Sequence, residues 1–205
     1  MMDWITTTVE GAMGSPWIYL ALFAVAMIDG FFPVVPSESL VITAGVYAAS
    51  DGEPFLPLVM LVAAAGAFAG DHVSYFLGHR AGDRLFEHAD DEPESRKVKG
   101  FRWARKTLEE RGGTIIIVCR YIPGARTAVT LTSGAVRYPL RKFSTFDAIA
   151  AVSWGVYSSL VGYIGGEAFH DDPLKGLALG LGIAFTVTMI VELVRHVRGR
   201  AKAAA

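Results

Sequence analysis

The sequence predicts an all-α polytopic membrane protein made of two inverted-topology repeats. Each repeat is a re-entrant helical hairpin followed by a transmembrane helix, and one extra C-terminal transmembrane helix closes the chain. Three observations carry this expectation: apolar residues gathered in long runs, two such runs broken near their middle by proline, and a lopsided distribution of lysine and arginine. The chain has 205 residues, of which 52% are hydrophobic, with a mean hydropathy of +0.39. A soluble domain of this length scatters its apolar residues at helical or strand periods, whereas here they are concentrated.

Taken in order, residues 17–50 form the first hairpin. The apolar stretch Trp17 to Ser50 is interrupted by Pro33 and Pro36. Proline removes a helical hydrogen bond and clashes with the preceding turn, so two short helices are expected. Such a pair enters and leaves a membrane by one face when protein or water covers the backbone at its tip. A single kinked spanning helix, or two spanning helices joined by a tight turn, are the alternatives. Leu58 to Gly78 then supplies about the 20 apolar residues that a bilayer crossing takes. Residues 80–113 mix nine basic with eight acidic side chains. Within them Leu85, Phe86, Phe101, Trp103, Ala104 and Leu108 suggest amphipathic helices on the cytoplasmic surface, around a solvated centre at Asp90 to Glu94. Residues 114–136 repeat the hairpin, broken at Pro123 and Gly124. Phe143 to Gly165 and Leu174 to Val194 are further spans, and residues 195–205 are a basic tail held to anionic headgroups by charge alone.

Charge sets the orientation. Residues 1–79 contain no Lys or Arg, Arg80 to Arg111 contain nine, and four more follow from Arg195 onward. Basic residues collect on the cytoplasmic side, so the loop 80–113 and the C-terminus are expected inside. The acidic segments Asp51 to Pro57 and Gly166 to Pro173 are expected outside, as is the N-terminus with Asp3 and Glu10. The first hairpin therefore opens outward. The second, between Arg111 and the cluster Arg137, Arg141 and Lys142, opens inward. Internal similarity supports the repeat: Pro33 is followed by Thr43-Ala44-Gly45-Val46, and Pro123 by Thr132-Ser133-Gly134-Ala135. Each half also carries a glycine-rich aromatic helix, with Gly66, Gly70, Tyr75 and Gly78 in one and Trp154, Gly155, Tyr157, Gly162 and Gly165 in the other. Such glycines alone signal close helix packing, but broken helices in inverted repeats are an architecture of secondary transporters.

The informative chemistry flanks the two breaks: Asp29 and Glu38 at the first, Arg120 and Arg126 at the second. An ionised carboxylate at the centre of a bilayer costs about 3 kcal/mol on insertion scales, and a guanidinium cannot shed its charge. Two readings stay open. In one, Asp29 and Glu38 simply neutralise Arg120 and Arg126 across the hairpins. In the other, the arginines are substrate phosphate-binding residues that grip an anion bidentately, and Asp29 and Glu38 are proton-coupling residues. Helix N-termini made by the breaks add positive potential toward the same anion.

Several stretches together resemble one family. They are Asp29-Gly30-Phe31-Phe32-Pro33-Val34-Val35-Pro36-Ser37-Glu38, Gly70-Asp71-His72 through Tyr75, Gly78-His79-Arg80-Ala81-Gly82, and Arg120-Tyr121-Ile122-Pro123-Gly124-Ala125-Arg126 through Ser133-Gly134. Over residues 16–165 the chain resembles the DedA family, also called the VTT or SNARE-associated domain family. The resemblance implies a bacterial inner-membrane protein that moves lipid carriers, notably undecaprenyl phosphate or a similar polyprenyl phosphate. It implies dependence on the proton motive force in some members and phospholipid scrambling in eukaryotic relatives. It also implies that the functional acids and arginines fall on Asp29, Glu38, Arg120 and Arg126. The first acid, often Glu in the family, is Asp here, with a shorter reach. A polyprenyl phosphate also suits the physics, since its tail can stay in lipid while a cavity hides only the anionic head.

The competing functions are a proton-coupled ion antiporter, a passive phospholipid scramblase and a membrane lipid phosphatase. A phosphatase needs a nucleophile and a general acid at the phosphate, and no histidine lies between His88 and His170. A transporter rather than an enzyme is therefore expected, with no catalytic residue assigned. Asp71, Tyr75 and His79 share one helix face and read as a polar packing seam, with a proton path as the alternative. Asp147, near the inner end of its helix, is a lesser candidate that reads equally as an ordinary charge at a helix N-terminus. The histidines show no metal-ligand spacing, the lone Cys119 gives neither disulfide nor zinc site, and a net charge of −1 offers no field for nucleic acid. The expected partners are membrane lipids, a polyprenyl-phosphate substrate and protons, with no cofactor, no metal and no nucleic acid. A homo-oligomer stays open.

Overall fold

The computed structural model of the chain describes residues 11–32, 35–86, 96–122, 124–168 and 182. The described residues form an all-α protein without strands. Its helices are α1 (Trp17–Phe31), α2 (Ser37–Ser50), α3 (Leu56–Phe86), α4 (Arg96–Cys119), α5 (Ala125–Ala135) and α6 (Leu140–Ala168). Pro33, Pro123, the loop centre at 87–95, the expected span 174–194 and the tail 195–205 lie outside the described residues.

Among the described residues, two helices are long and apolar enough to cross a membrane, Leu56–Gly82 within α3 and Leu140–Ala168. At 1.5 Å per residue α3 and α6 are about 46 and 43 Å long, more than the roughly 30 Å hydrocarbon core. Leu61 and Phe76 on α3, and Ile149, Val152 and Ile164 on α6, turn outward with half or more of their surface exposed. An apolar outer face of this kind suits lipid contact.

The helices stop where the backbone dictates. α1 and α2 have 15 and 14 residues. Pro36 sits directly before Ser37, the first residue of α2, where a missing N–H leaves no helical bond unmade. After α4, the N–H groups of Tyr121 and Ile122 donate to the carbonyls of Val118 and Cys119. Gly124 then turns the chain with φ 74°, a left-handed conformation that glycine adopts without a steric penalty. At the far end of α5, Tyr138 N–H donates to Ser133 and Arg137 N–H to Gly134, with Arg137 at φ 56°. That is a Schellman closure with arginine in the position glycine favours.

α4 departs from the expectation of a surface loop followed by a separate hairpin arm. It runs without interruption from Arg96 through Gly112 and Gly113 to Cys119. Ala104 and Leu108, read from sequence as part of amphipathic helices on the cytoplasmic surface, pack into a core with Tyr75, Ile116, Val136, Tyr138 and Phe143. The reason is helical geometry. Ala104, Leu108, Gly112 and Ile116 recur every four residues and form one stripe, and Gly112 lets the ring of Tyr138 approach. Trp103 points away, 70% exposed.

The chain groups into two compact units, whose boundaries fall inside α1, α3 and α6. In the unit formed by residues 1–22, 37–63 and 155–205, α2 lies against the later half of α6. A methyl added at Gly45 or Gly162 would collide with the backbone of Ser159 or Ile42. In the unit formed by residues 23–36 and 64–154, α1 lies against α3 at Gly30, Gly66 and Gly70, and α5 lies against α3 at Gly78, Gly82 and Gly134. Small residues let backbones meet at these distances. Ser74 Oγ donates to the Gly30 carbonyl at 2.8 Å. Tyr75 donates its hydroxyl to the Tyr138 carbonyl at 2.5 Å, tying α3 to the turn after α5.

Candidate functional site

Within the second unit, helix packing draws charged side chains from distant parts of the sequence into a line. Arg120 leaves the C-terminal end of α4, where a cation complements the carbonyl ends of the helix. Its Nη1 lies 2.5 Å from Asp71 Oδ2 on α3 and 3.3 Å from Asp147 Oδ1 on α6. The three side chains are 1%, 0% and 1% exposed. The guanidinium also lies 5.5 Å from the centre of the Trp154 ring, within reach of a cation–π attraction.

Arg126 stands in the first turn of α5, an unfavourable place for a cation at a helix N-terminus. Carboxylates offset this. Its Nη2 lies 3.2 Å from Asp29 Oδ2 and donates to the Asp29 carbonyl, and its Nε lies 3.7 Å from Asp71 Oδ1. Arg126 and Asp29 are 11% and 14% exposed at the side chain, so this end of the line is more open than the Arg120 end.

The other end is His72. Its Nδ1 is 2.8 Å from the Phe68 carbonyl and 3.5 Å from Asp147 Oδ2, and its Nε2 is 2.8 Å from Ser144 Oγ. The contact with Asp147 is ionic proximity, since the shorter Phe68 contact takes the hydrogen bond. The continuous order is Asp29, Arg126, Asp71, Arg120, Asp147, His72. Arg120 Nε and Nη2 and Asp71 Oδ1 make no hydrogen bond within the protein. Buried N–H donors in that condition suit a further oxygen acceptor.

Three of the four residues that flank the breaks thus meet: Asp29, Arg120 and Arg126. Glu38 lies in the first turn of α2, half-buried, and groups with the first unit. The seam Asp71, Tyr75 and His79 separates into different roles. Asp71 joins the arginines, Tyr75 anchors the turn after α5, and the His79 ring lies 6.4 Å from that of Tyr75. Asp147 is no helix-terminal charge, because it is 1% exposed and sits between Arg120 and His72. The signal for it was present, as a carboxylate within a predicted span is a functional candidate by default. His72 is remote from Arg120 along the chain, and only packing across the helices brings both to Asp147. Among the described residues no three His, Cys, Asp or Glu side chains are grouped to hold a metal.

Residues 35–164 match the VTT domain. The chain belongs to the DedA family. Protein DedA of Escherichia coli K12 is 28% identical over 199 residues, covering 92% of this chain and 87% of the relative. Undecaprenyl phosphate transporter A of Staphylococcus aureus is 24% identical over 154 residues, covering 74% and 75%. A protein of Lactococcus lactis called alkaline phosphatase-like is 22% identical over 183 residues, covering 84% and 85%. No solved structure matches the chain. The chain is thus a DedA-family membrane protein in which, among the described residues, two helices are long and apolar enough to cross a bilayer; Asp71 and Asp147 stand on these two, where unpaired charge is costly.

Proposed function

We propose that this DedA-family chain is an inner-membrane transporter that carries the head of a polyprenyl phosphate across the bilayer with proton coupling, in support of cell-envelope assembly. The observation that carries this reading is the Arg126–Asp29 pair. It is the partly exposed end of a buried charge line, and a guanidinium can exchange a partly exposed carboxylate partner such as Asp29 for a phosphate in similar geometry. The phosphate binds Arg126, with Arg120 behind it, while the displaced Asp29 takes up a proton. Glu38, at the N-terminus of α2, is the second proton-coupling acid. The name of the Staphylococcus relative agrees with this cargo.

Re-entrant hairpins supply the route. Helices of 15 and 14 residues reach only about 22 and 21 Å, short of the roughly 30 Å core. The glycines matched between the halves, Gly45 and Gly134, each lie against another helix's backbone, as expected if residues 16–165 hold two inverted copies of one hairpin-plus-helix unit. The basic loop 80–113 and the tail 195–205 then face the cytoplasm.

Reconstitution tests the reading. Proteoliposomes loaded with labelled polyprenyl phosphate should show movement of the label between leaflets that rises with a pH gradient and drops at least about tenfold in Arg126→Ala. No movement by the wild type, or wild-type movement by the variant, overturns the carrier assignment. Movement of ordinary phospholipid without gradient dependence indicates a scramblase, and cation flux alone an antiporter. Release of inorganic phosphate indicates a lipid phosphatase, the reading favoured by the name of the Lactococcus relative and by His72 at the end of the line.

A further inference from the structure

We propose that His72 is a second proton-binding site in this chain, taking a proton at Nε2 while Ser144 reverses the direction of its hydroxyl.

The hydrogen bonds fix the tautomer. The Phe68 carbonyl, 2.8 Å from Nδ1, can only accept, so Nδ1 carries a hydrogen in every state. Nε2 faces Ser144 Oγ at 2.8 Å, and a serine hydroxyl both donates and accepts. With a neutral ring, Ser144 donates to Nε2. With an imidazolium, Nε2–H donates to Ser144 Oγ, and the hydroxyl hydrogen rotates away. The ring therefore changes charge without losing a hydrogen bond or moving a heavy atom. A carbonyl or a lysine in place of Ser144 would lock one state.

Charge favours the second state. The groups around His72 are Asp71 and Tyr75 on its own helix, Asp147, Ser144 and Phe143 on α6, Arg120 at the end of α4, Arg126 on α5 and Asp29 on α1. Along the line, three carboxylates meet two guanidinium groups, leaving one negative charge that an imidazolium 3.5 Å from Asp147 cancels. Uncompensated buried charge is costly. The competing homes for that proton are Asp71 Oδ1 and Asp147 Oδ2, which make no hydrogen bond, but a proton there removes the carboxylate charge that faces Arg120 Nη1 at 2.5 or 3.3 Å through the other oxygen. They are also sealed, at 0% and 1% exposed, whereas His72 is 18% exposed and open to proton exchange. The proton comes from water and returns to it, and apart from the Ser144 hydroxyl no other group changes its bonding.

Proton binding itself stands apart from the transporter reading, whereas any role in coupling rests on it. The test is nitrogen-15 NMR of histidine-labelled full-length protein in lipid nanodiscs, between about pH 5 and about pH 9, with His72→Gln to assign the signal. The wild type should keep Nδ1 protonated throughout and gain a proton at Nε2 as the pH falls. Asp147→Asn, nearly isosteric and with Asp71 still holding Arg120, should weaken proton binding at His72 at least about tenfold, since it removes the nearest opposite charge. An Nε2 that never takes the proton, an Nδ1 without hydrogen at high pH, or an Asp147→Asn titration equal to wild type each overturns the proposal. A wild type that titrates as expected yet moves no lipid phosphate leaves His72 as a proton site and overturns only the transporter.

Discussion

Arg120 Nη1 lies 2.5 Å from Asp71 Oδ2, and neither side chain is more than 1% exposed. A pair so buried gains little over a well-packed apolar pair, but breaking it leaves a stranded charge that costs about 3–5 kcal/mol. Arg120→Ala should therefore lower stability by about that amount, and adding Asp71→Asn should recover part of the loss. Thermal unfolding of the single and double variants in detergent gives the coupling. If the two losses simply add, the pair is not a unit.

That pair also shows where sequence reasoning reaches its limit. The breaks at residues 32–36 and 120–124 and the two long apolar helices follow from local rules, because proline and an uninterrupted apolar run act on their own neighbourhood. Pairing is different. Arg120 is 49 residues from Asp71 and 27 from Asp147, and only helix packing brings them together. Symmetry between the hairpins made Asp29 and Glu38 look like the natural partners of both arginines. The structure gives Asp29 to Arg126 and gives Arg120 two acids from the middle of long helices. Gly112 and Gly113 fall at the boundary expected between the loop 80–113 and the hairpin 114–136, yet in three dimensions they are the smooth patch of a continuous helix that meets Tyr138 and Phe146.

Glycine at position 134 is a steric requirement, and glycine at 100 is not. A Cβ on Gly134 would strike the Tyr75 carbonyl and come within 2.8 Å of the His79 backbone nitrogen, whereas a Cβ on Gly100 meets nothing within 4 Å. Gly134→Ala should destabilise by about 1–3 kcal/mol, as overpacking does. Gly100→Ala should be neutral or stabilise by up to about 1 kcal/mol through helix propensity. Unfolding midpoints of the two variants, measured side by side, should move in opposite directions or only the first should move.

Arg137 closes α5 at φ 56°, where an L-residue pays about 1–2 kcal/mol that glycine does not. Glycine's greater freedom in the unfolded chain returns part of the gain. Arg137→Gly should raise stability by roughly 0.5–1 kcal/mol, read as a higher unfolding temperature. A lower one would mean that the contacts of the Arg137 side chain outweigh its backbone strain.

Asp29 and the transported phosphate compete for Arg126 in the proposed mechanism, so removing the carboxylate charge should separate binding from turnover. Asp29→Asn leaves the backbone carbonyl that Arg126 already engages and removes the anion 3.2 Å from its Nη2. The guanidinium is then freer for phosphate, and the half-saturating concentration of polyprenyl phosphate should fall by about tenfold, equivalent to about 1.4 kcal/mol of binding. The maximum rate should fall as well, because no carboxylate returns to displace the head on the far side and no proton rides on position 29. Initial rates in proteoliposomes across lipid concentrations and pH check both halves. A rate that falls at unchanged half-saturation would show that Asp29 only holds Arg126 in place. A variant with wild-type constants would remove Asp29 from the mechanism and leave the exchange at Arg126 without its competitor.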